Sequence, residues 1–431
     1  MKIELPAEQF RFVTENSKEC DAETAYVLTS QNKKYLDDAL SHNPHSVMKI
    51  GELASLFGLD RIKIIGITGT NGKTSTASAI YSMLLDLDCK VAMQGTRGFF
   101  MNDDVVEGKT LTTPSVLNTY RHIYQAVASG CEYFIMEVSS HAIVQKRIEG
   151  ISFALKILTN ITQDHLDYHK DLEDYINVKN SFFQDDTLKL MNKDEPKSKF
   201  NIKNAYTYGI ENPASYKIMA YSLNDGISAI LQNFKQVGPI HSPLYGFFNL
   251  YNITAAVGAV HLITKRSLED VCEVVDNFAG VSGRMEIVSE TPPVLVDFAH
   301  TPDGMQQVLN SLKEKDLLVV FGAGGDRDRS KRALMGRVAA SLAKRVYLTS
   351  DNPRTEDPDT IIKDVLAGIE DKNIVHVDVN RRAAIEQALR DQSGDDVVVV
   401  LGKGDETVQI IYDQKFPFDD REVAREILAT L

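Results

Sequence analysis

Gly66-Ile-Thr-Gly69-Thr-Asn-Gly72-Lys73-Thr74-Ser75-Thr76 is the stretch on which the reading of this chain turns. An apolar, β-branched run with Ile62, Ile64, Ile65 and Ile67 precedes it, and a helix-forming run over residues 77–87 follows. Strand, glycine loop and helix in that order make an anion cradle, because glycine lets backbone N–H groups turn inward and the helix start adds the positive end of its dipole. Lys73 then suits terminal phosphates and Thr74 a Mg²⁺ ion. The strict phosphate-loop spacing asks for a glycine where Ile67 stands, so a tighter loop over residues 69–74 remains. The plainer alternative is a solvated glycine turn; a lysine and a threonine directly behind a strong strand favour the nucleotide.

Outward from this point, runs 62–68, 133–138 and 153–158 are apolar enough to be strands buried on both faces, and helical stretches between them predict a mostly parallel sheet. Residues 1–60 form a short mixed segment with a candidate strand at 25–29 and a helix near 35–40. A lysine-rich stretch, 192–204, leads into an irregular region to about 236 where short antiparallel strands are expected. Gly246-Phe-Phe-Asn249-Leu-Tyr-Asn252 opens a long helix reaching 264, and Gly280-Val-Ser-Gly283 reads as a hinge. Strands at 294–298, 317–321, 345–349, 374–377 and 397–401 then restart the alternation as a second doubly wound unit. The expected domains are 1–60, 61–282 and 283–431.

With 431 residues the chain exceeds a single core. Its 43% apolar and 25% charged residues are those of an ordinary globular protein. A formal charge of −13 opposes nucleic acid or an anionic membrane as main partner. Cys20, Cys89, Cys131 and Cys272 are too scattered for a zinc site or a disulfide framework, so reduced thiols are expected. The opening MKIELPAEQF has acids where a signal peptide is apolar, and no apolar run approaches the ~20 residues of a membrane span. A cytoplasmic protein is expected.

Glu137 ends the run 133–138 and is followed by Ser139, Ser140 and His141. Ligands gather at the carboxyl ends of parallel strands, so these side chains should share a crevice with the glycine loop, where a carboxylate can bind Mg²⁺. Asn160-Ile-Thr-Gln-Asp164-His165-Leu-Asp167-Tyr-His169 ends the next strand. His165 and His169 stand as zinc ligands do on a helix, but Leu166 replaces the needed glutamate, so ordering a magnesium or phosphate site suits His165 better. Lys179, on an amphipathic helix, reads by spacing as a surface residue. Gly322-Ala-Gly324-Gly325-Asp326-Arg327 fails as a dinucleotide fingerprint because Arg327 holds the place of the third glycine. In Asp351-Asn352-Pro353-Arg354, Pro353 fixes a turn that presents Asn352 and Arg354, whose guanidinium fork suits a carboxylate, although such a loop arginine read by itself is more often a surface ion pair.

Taken together, TGTNGKT, LTTP (Leu111 to Pro114), MEVSSH, DHLDYH, GFFNLYN, GRME (Gly283 to Glu286), VDFAHTPD and GGDRD resemble, in order, the motifs of the Mur ligases, ATP-dependent amino-acid ligases of peptidoglycan synthesis. The resemblance runs from about Ile62 to the C-terminus. It implies an α/β fold with a short N-terminal α/β domain, a central P-loop ATPase-like parallel-sheet domain and a C-terminal Rossmann-like domain. The details resemble the branch that adds the third residue to UDP-N-acetylmuramoyl-L-alanyl-D-glutamate through an acyl phosphate. The DNPR loop is similar to the version that selects meso-2,6-diaminopimelate over L-lysine, since Arg354 rewards a distal carboxylate that lysine lacks.

By motif, the resemblance implies that Gly69, Thr70, Asn71, Gly72, Lys73, Thr74, Ser75, Asn252, Arg284 and Asp297 bind ATP. It implies that Ser17, Thr112, Thr113, Ser139, Gln145 and Arg147 bind the UDP-sugar peptide, and that Arg332, Asp351, Asn352, Pro353, Arg354, Gly402 and Glu406 bind diaminopimelate. Lys73, Glu137, His165 and Lys179 are implied to be catalytic, with Lys179 carbamylated by CO₂ so that it joins Thr74, Glu137 and His165 around Mg²⁺. The protein is expected to act as a monomer. Two departures stand out: the usual GKGHE is Gly402-Lys-Gly-Asp405-Glu406, and the N-terminal part is short, with Asn16-Ser17-Lys18 resembling a uridine-binding segment. The competing readings are a lysine-adding ligase, a folylpolyglutamate-synthase-like enzyme, and a P-loop ATPase switch that makes no bond.

Overall fold

The computed structural model describes residues 2–4, 10–102 and 104–431; part of the MKIELPAEQF opening lies outside them. The phosphate-loop strand, Lys63–Thr68, sits in the middle of an eleven-stranded sheet. Its parallel centre runs, in spatial order, Ala205–Gly209, Lys189–Asn192, Leu155–Leu158, Lys63–Thr68, Tyr133–Glu137 and Val91–Gly95. Apart from Lys63, every residue of the strand over 63–68 is buried, as its isoleucine-rich composition dictates for a strand covered on both faces. Register places Leu158 beside Thr68 and Glu137 beside Ile67, so three loops leave the sheet at one edge.

Antiparallel strands finish both margins. Gly98–Met101 and Asp104–Glu107 lie on one side. On the other, Tyr216–Ser222 runs parallel to Ala205–Gly209, and Ile227–Asn233 continues antiparallel from it in the region where short antiparallel strands were expected, followed by Gln236–Ser242 just beyond that region. The lysine-rich stretch 192–204 is mostly the loop that joins the buried strand Lys189–Asn192 to its parallel, partly buried neighbour Ala205–Gly209.

Helix Lys73–Asp86 begins four residues earlier than its composition suggests, because Gly72, at φ +82°, is the cap from which it starts. It packs on helix Phe247–Thr264. Among the described residues, Phe247–Thr264 is a helix long and apolar enough to cross a membrane, but its Ile253, Ala256, Val257 and Val260 are fully buried in the sheet's core. Its apolarity comes from core position.

The C-terminal sheet has six strands in the order Glu286–Glu290, Pro293–Asp297, Val397–Leu401, Leu317–Phe321, Arg345–Leu348 and Val375–Val377, the first antiparallel and the others parallel. Its carboxyl ends deliver the loops after Asp297, Phe321, Leu348 and Leu401 to the same opening as those of the central sheet.

The N-terminal segment forms a mixed four-stranded sheet, Lys2–Glu4, Phe12–Thr14, Thr24–Leu28 and Ser46–Lys49. Val13, Val27, Leu53 and Phe57 share one apolar core with Ile64, Tyr120 and Phe134 of the central unit. A segment of this size exposes too much surface to close a core alone, so it borrows one.

Candidate functional site

The glycine loop is built for close approach. Gly69 (φ +154°) and Gly72 (φ +82°) adopt backbone that side chains avoid, and a Cβ on either would collide with Thr159 Oγ1 or Asn252 Oδ1. Thr159 and Asn160 of the next loop fix it: Asn71 N donates to Asn160 Oδ1 at 2.9 Å, and Thr159 Oγ1 donates to the Asn71 carbonyl at 2.6 Å. Lys73 Nζ folds back on the Gly69 and Thr70 carbonyls, each at 2.9 Å. Burial lowers its pKa, against the pull of Glu137 and Asp164.

Two cavities meet at this loop. One, of about 340 Å³, is lined by Asn71, Gly72, Ser75, Asn252, Arg284 and Asp297 among other polar groups, with Tyr208, Phe247, Phe248 and Tyr251 as aromatic wall, a mixture that suits a nucleoside. The Asp297 carboxylate accepts from Met285 N (2.8 Å) and Ala299 N (2.7 Å); burial raises its pKa and Arg284 opposes the rise. Arg284 lies over the Phe298 ring at 4.3 Å.

The other cavity, of about 320 Å³, collects Thr70 to Ser75, Thr112, Glu137, His165, Asp351, Asn352, Arg354, Gly402 and Glu406. Glu137 is almost fully buried and accepts from Thr74 Oγ1 (3.0 Å) and Thr96 N (2.9 Å). Burial drives His165 down to about 3, so its imidazole is neutral and free to act as a ligand. The two histidines of DHLDYH do not ride on a helix: His165 has φ +56°, and His169 is a structural bolt with Nε2 at 2.9 Å from Ser140 Oγ.

Lys179 is 1% exposed, which ends the surface reading. Its Nζ donates to the Gly69 carbonyl at 2.9 Å and lies 4.7 Å from the centre of the Tyr175 ring. Burial first, and the Lys73 charge second, push its pKa far below that of a free lysine. A neutral amine in such a place is a nucleophile.

The expected peptide-binding residues form a linked group beside this cavity. Thr113 Oγ1 donates to the Glu137 carbonyl (2.9 Å) and accepts from Ser139 N (3.0 Å), while Arg147 Nη1 donates to the Thr113 carbonyl (2.7 Å) and Arg147 Nε to Gln145 Oε1 (2.9 Å). Ser17 is buried in the N-terminal unit, outside the linings of both cavities.

The DNPR loop is pinned from behind. Asn352 Nδ2 donates to Glu406 Oε2 (2.8 Å), and Asn352 Oδ1 accepts from Ile410 N (2.8 Å) and from buried Lys403 (3.1 Å). Arg354, at φ +51°, donates through Nη1 to the Gly325 carbonyl at 2.7 Å and turns into the cavity, where burial and the neighbouring Arg327 lower its pKa. Glu406 already holds Lys403 at 2.9 Å, so only part of its charge is left for an incoming ammonium. Arg332 is outside the lining: it is buried and paired with Glu356 (2.8 Å) and Asp364 (2.9 Å) beneath Gly324. Pro353 supports the turn through its backbone, which packs on Gly325.

Several residues here were not singled out in the sequence. Asp164, His300, Lys331 and Arg327 line the reaction cavity, with Asp164 Oδ1 3.5 Å from Lys331 and its other oxygen 3.9 Å from His300. Burial alone would raise the Asp164 carboxyl, but Lys331 and the two histidines hold it below its ordinary value. Each lies in a loop or helix start after a strand, Asp164, His300 and Arg327 within motifs already quoted and Lys331 three residues past GGDRD, and that position was the available signal.

Comparison with known proteins adds the following. Residues 67–260 match the family model of the Mur ligase middle domain, and residues 283–404 that of the Mur ligase, glutamate ligase domain. The UDP-N-acetylmuramoyl-L-alanyl-D-glutamate--2,6-diaminopimelate ligase of Wolinella succinogenes is 51% identical over 100% of this chain and 99% of its own length. That of Helicobacter pylori is 48% identical over 98% of this chain and 96% of its own. A solved ligase of the same description superposes with a TM-score of 0.68 at 28% identity, covering 99% of this chain and 97% of its own. A folylpolyglutamate synthase of Mycobacterium tuberculosis, 18% identical with a TM-score of 0.66 over 81% of this chain and 91% of its own, is alike in fold alone.

Proposed function

The chain belongs to the Mur ligase family, and from that premise we infer that it joins meso-2,6-diaminopimelate to the D-glutamate side-chain carboxylate of UDP-N-acetylmuramoyl-L-alanyl-D-glutamate, cleaving ATP to ADP and phosphate. The observation that carries the reading is the shared cavity, which has the phosphate loop on one wall and the DNPR loop on the other. A nucleotide switch has no use for a carboxylate-reading arginine opposite its phosphates.

The chemistry proceeds as activation and then substitution. The glutamate carboxylate attacks the γ-phosphorus, the bond to the β-phosphate oxygen breaks, and ADP leaves an acyl phosphate behind. The free amine of diaminopimelate then attacks the acyl carbon, phosphate departs and the amine proton is lost. Lys73 and the loop N–H groups take up phosphate charge. Thr113, Ser139, Gln145 and Arg147 hold the peptide, and Arg354 with Asn352, Asp351, Gly402 and Glu406 holds the amino acid, braced by Arg332 and Pro353.

Mg²⁺ bound with ATP would neutralise charge on the phosphates, and the groups that would hold it are Thr74, Glu137, His165 and a carbamylated Lys179. Among the described residues no three His, Cys, Asp or Glu side chains form a metal cage, which suits an ion that takes few protein ligands and completes its shell with phosphate and water. Burial favours the uncharged form of the Lys179 amine, the form that adds CO₂ with loss of a proton and so turns a donor into an anion; acid protonates the amine and reverses the addition. Asn252, Arg284 and Asp297 flank the nucleoside, the last two from beyond the Gly280 to Gly283 hinge. We further assign domains to 1–60, 61–282 and 283–431, a UDP contact to Ser17, and a monomeric, cytoplasmic state.

The test is phosphate release with ATP, Mg²⁺ and the UDP-dipeptide, adding meso-diaminopimelate or L-lysine in parallel, with mass spectrometry of the product. A tripeptide with diaminopimelate is expected. Product only with lysine would overturn the role of Arg354, and phosphate release that needs no amino acid would favour the switch.

A further inference from the structure

Asp405, where the motif departs from GKGHE, meets Lys109 of the loop that leads into Leu111 to Pro114. Lys109 Nζ lies 3.1 Å from Asp405 Oδ2 and also donates to the Asp405 main-chain carbonyl. The pair bridges the central and C-terminal units at the rim of the reaction cavity, since Thr112 and Glu406, three residues and one residue away, both line it. Other links across this opening, Asn71 to Asp303 (2.9 Å), Gln163 to Ser330 (3.3 Å) and Asp164 to both Lys331 (3.5 Å) and His300 (3.9 Å), start from the phosphate loop and the loop after Leu158. Among the described residues, the pair on Lys109 is the link that starts from the loop carrying Thr112.

The hinge reaches the same place. Gly283 (φ +71°) and Gly404 (φ +53°) lie back to back: a Cβ on Gly404 would stand 2.6 Å from the Gly283 carbonyl, and one on Gly283 would run into Asp405 N. The loop 402–406 therefore rides with the hinge, and Asp405 is held between the hinge on one side and Lys109 on the other.

We propose that Lys109 and Asp405 are a closure latch, a pair of positioning residues that ties the peptide-binding loop to the amino-acid-binding loop and holds the diaminopimelate amine close to the activated carboxylate. The proposal rests on the ligase reading given above. Its logic is a population shift. If the closed form binds diaminopimelate, weakening the latch lowers the closed fraction and the apparent affinity falls by the same factor. Saturating amino acid can still drive closure, so KM moves more than kcat.

The test is steady-state kinetics of Lys109→Glu, Asp405→Asn and the reversed pair Lys109→Glu with Asp405→Lys, together with small-angle scattering of each protein with ADP. Asp405→Asn should raise the KM for diaminopimelate roughly 2- to 5-fold, the range of a half-exposed ion pair. Lys109→Glu, which sets two carboxylates against each other, should raise it further, and the reversed pair should recover most of the loss. Scattering should report a larger radius of gyration for Lys109→Glu than for the parent and a return in the reversed pair. Unchanged KM and radius in both single variants, or a reversed pair no better than Lys109→Glu, would overturn the latch. A lowered kcat with KM unchanged and a lowered melting temperature would also overturn it, as the mark of a merely structural contact. Failure of the parent protein to make product would fall on the ligase reading, and scattering would still judge the latch.

Discussion

Two of the glycine-bearing loops that follow buried parallel strands, those after Lys63–Thr68 and after Leu317–Phe321, do different work. The loop after Lys63–Thr68 runs straight into a helix at Lys73, and its Gly69 and Gly72 have positive φ. The loop after Leu317–Phe321, Gly322-Ala-Gly324-Gly325, reaches a helix only at Ser330, and none of its glycines has positive φ. Its glycines serve packing. A Cβ on Gly325 would strike the Pro353 carbonyl, and one on Gly322 the Thr349 carbonyl. The first loop has the backbone form of an anion cradle; the second makes room for another loop. Glycine after a strand thus marks close approach, and the residue that starts the next helix tells what is approached.

The largest effects belong to the first loop. Lys73→Met should cut product formation about 10²- to 10³-fold, as loss of a charge donor to the transferred phosphoryl does. Gly72→Ala should abolish ATP binding measured by calorimetry, because it adds both strain at φ +82° and a clash with Asn252. Next comes Arg354→Lys: a point charge cannot replace the fork, and the KM for diaminopimelate should rise roughly 10- to 100-fold with ATP affinity unchanged. Gly325→Ala separates the two loops most cleanly. It should displace Pro353 and raise the same KM about 10-fold while ATP binding survives, since small misplacements of a positioning loop are costly. Loss of ATP binding by Gly325→Ala would break the contrast. Gly324→Ala is the smallest, about 2-fold on KM, because its Cβ would meet the side-chain end of Arg354 at 3.1 Å and Arg327 Cγ at an ordinary 3.7 Å, and no backbone.

Much of the fold was legible because buried parallel strands announce themselves as apolar runs. Leu317–Phe321 and Val397–Leu401 fall where the sequence placed them. Val91–Gly95 did not show, since Gln94 and Gly95 interrupt its run; the gap at Gly95 is filled by the Glu137 side chain. Lys189–Asn192 was hidden by a lysine that is fully buried, its ammonium satisfied by the Asp185 and Lys203 carbonyls at 2.9 Å each. The site divides the same way. Lys73 and Glu137 lie at or just after strand ends, where ligands gather in parallel sheets, whereas Arg354 taken alone reads as a surface ion pair and gained its expected role from the resemblance. Lys179 looks like a surface lysine until the fold brings it to the Gly69 carbonyl across 110 residues. Arg332 depends on Glu356 and Asp364, partners that no local pattern couples to it.

The most direct measurement uses UDP-N-acetylmuramoyl-L-alanyl-D-glutamate labelled with ¹⁸O in the D-glutamate side-chain carboxylate, turned over with ATP and meso-diaminopimelate, with mass analysis of the released phosphate. One ¹⁸O atom carried into phosphate is expected, because the carboxylate oxygen that attacks phosphorus leaves with it when the amide forms. Unlabelled phosphate would mean that water takes the phosphoryl group, and the chain would then be an ATPase that makes no acyl phosphate.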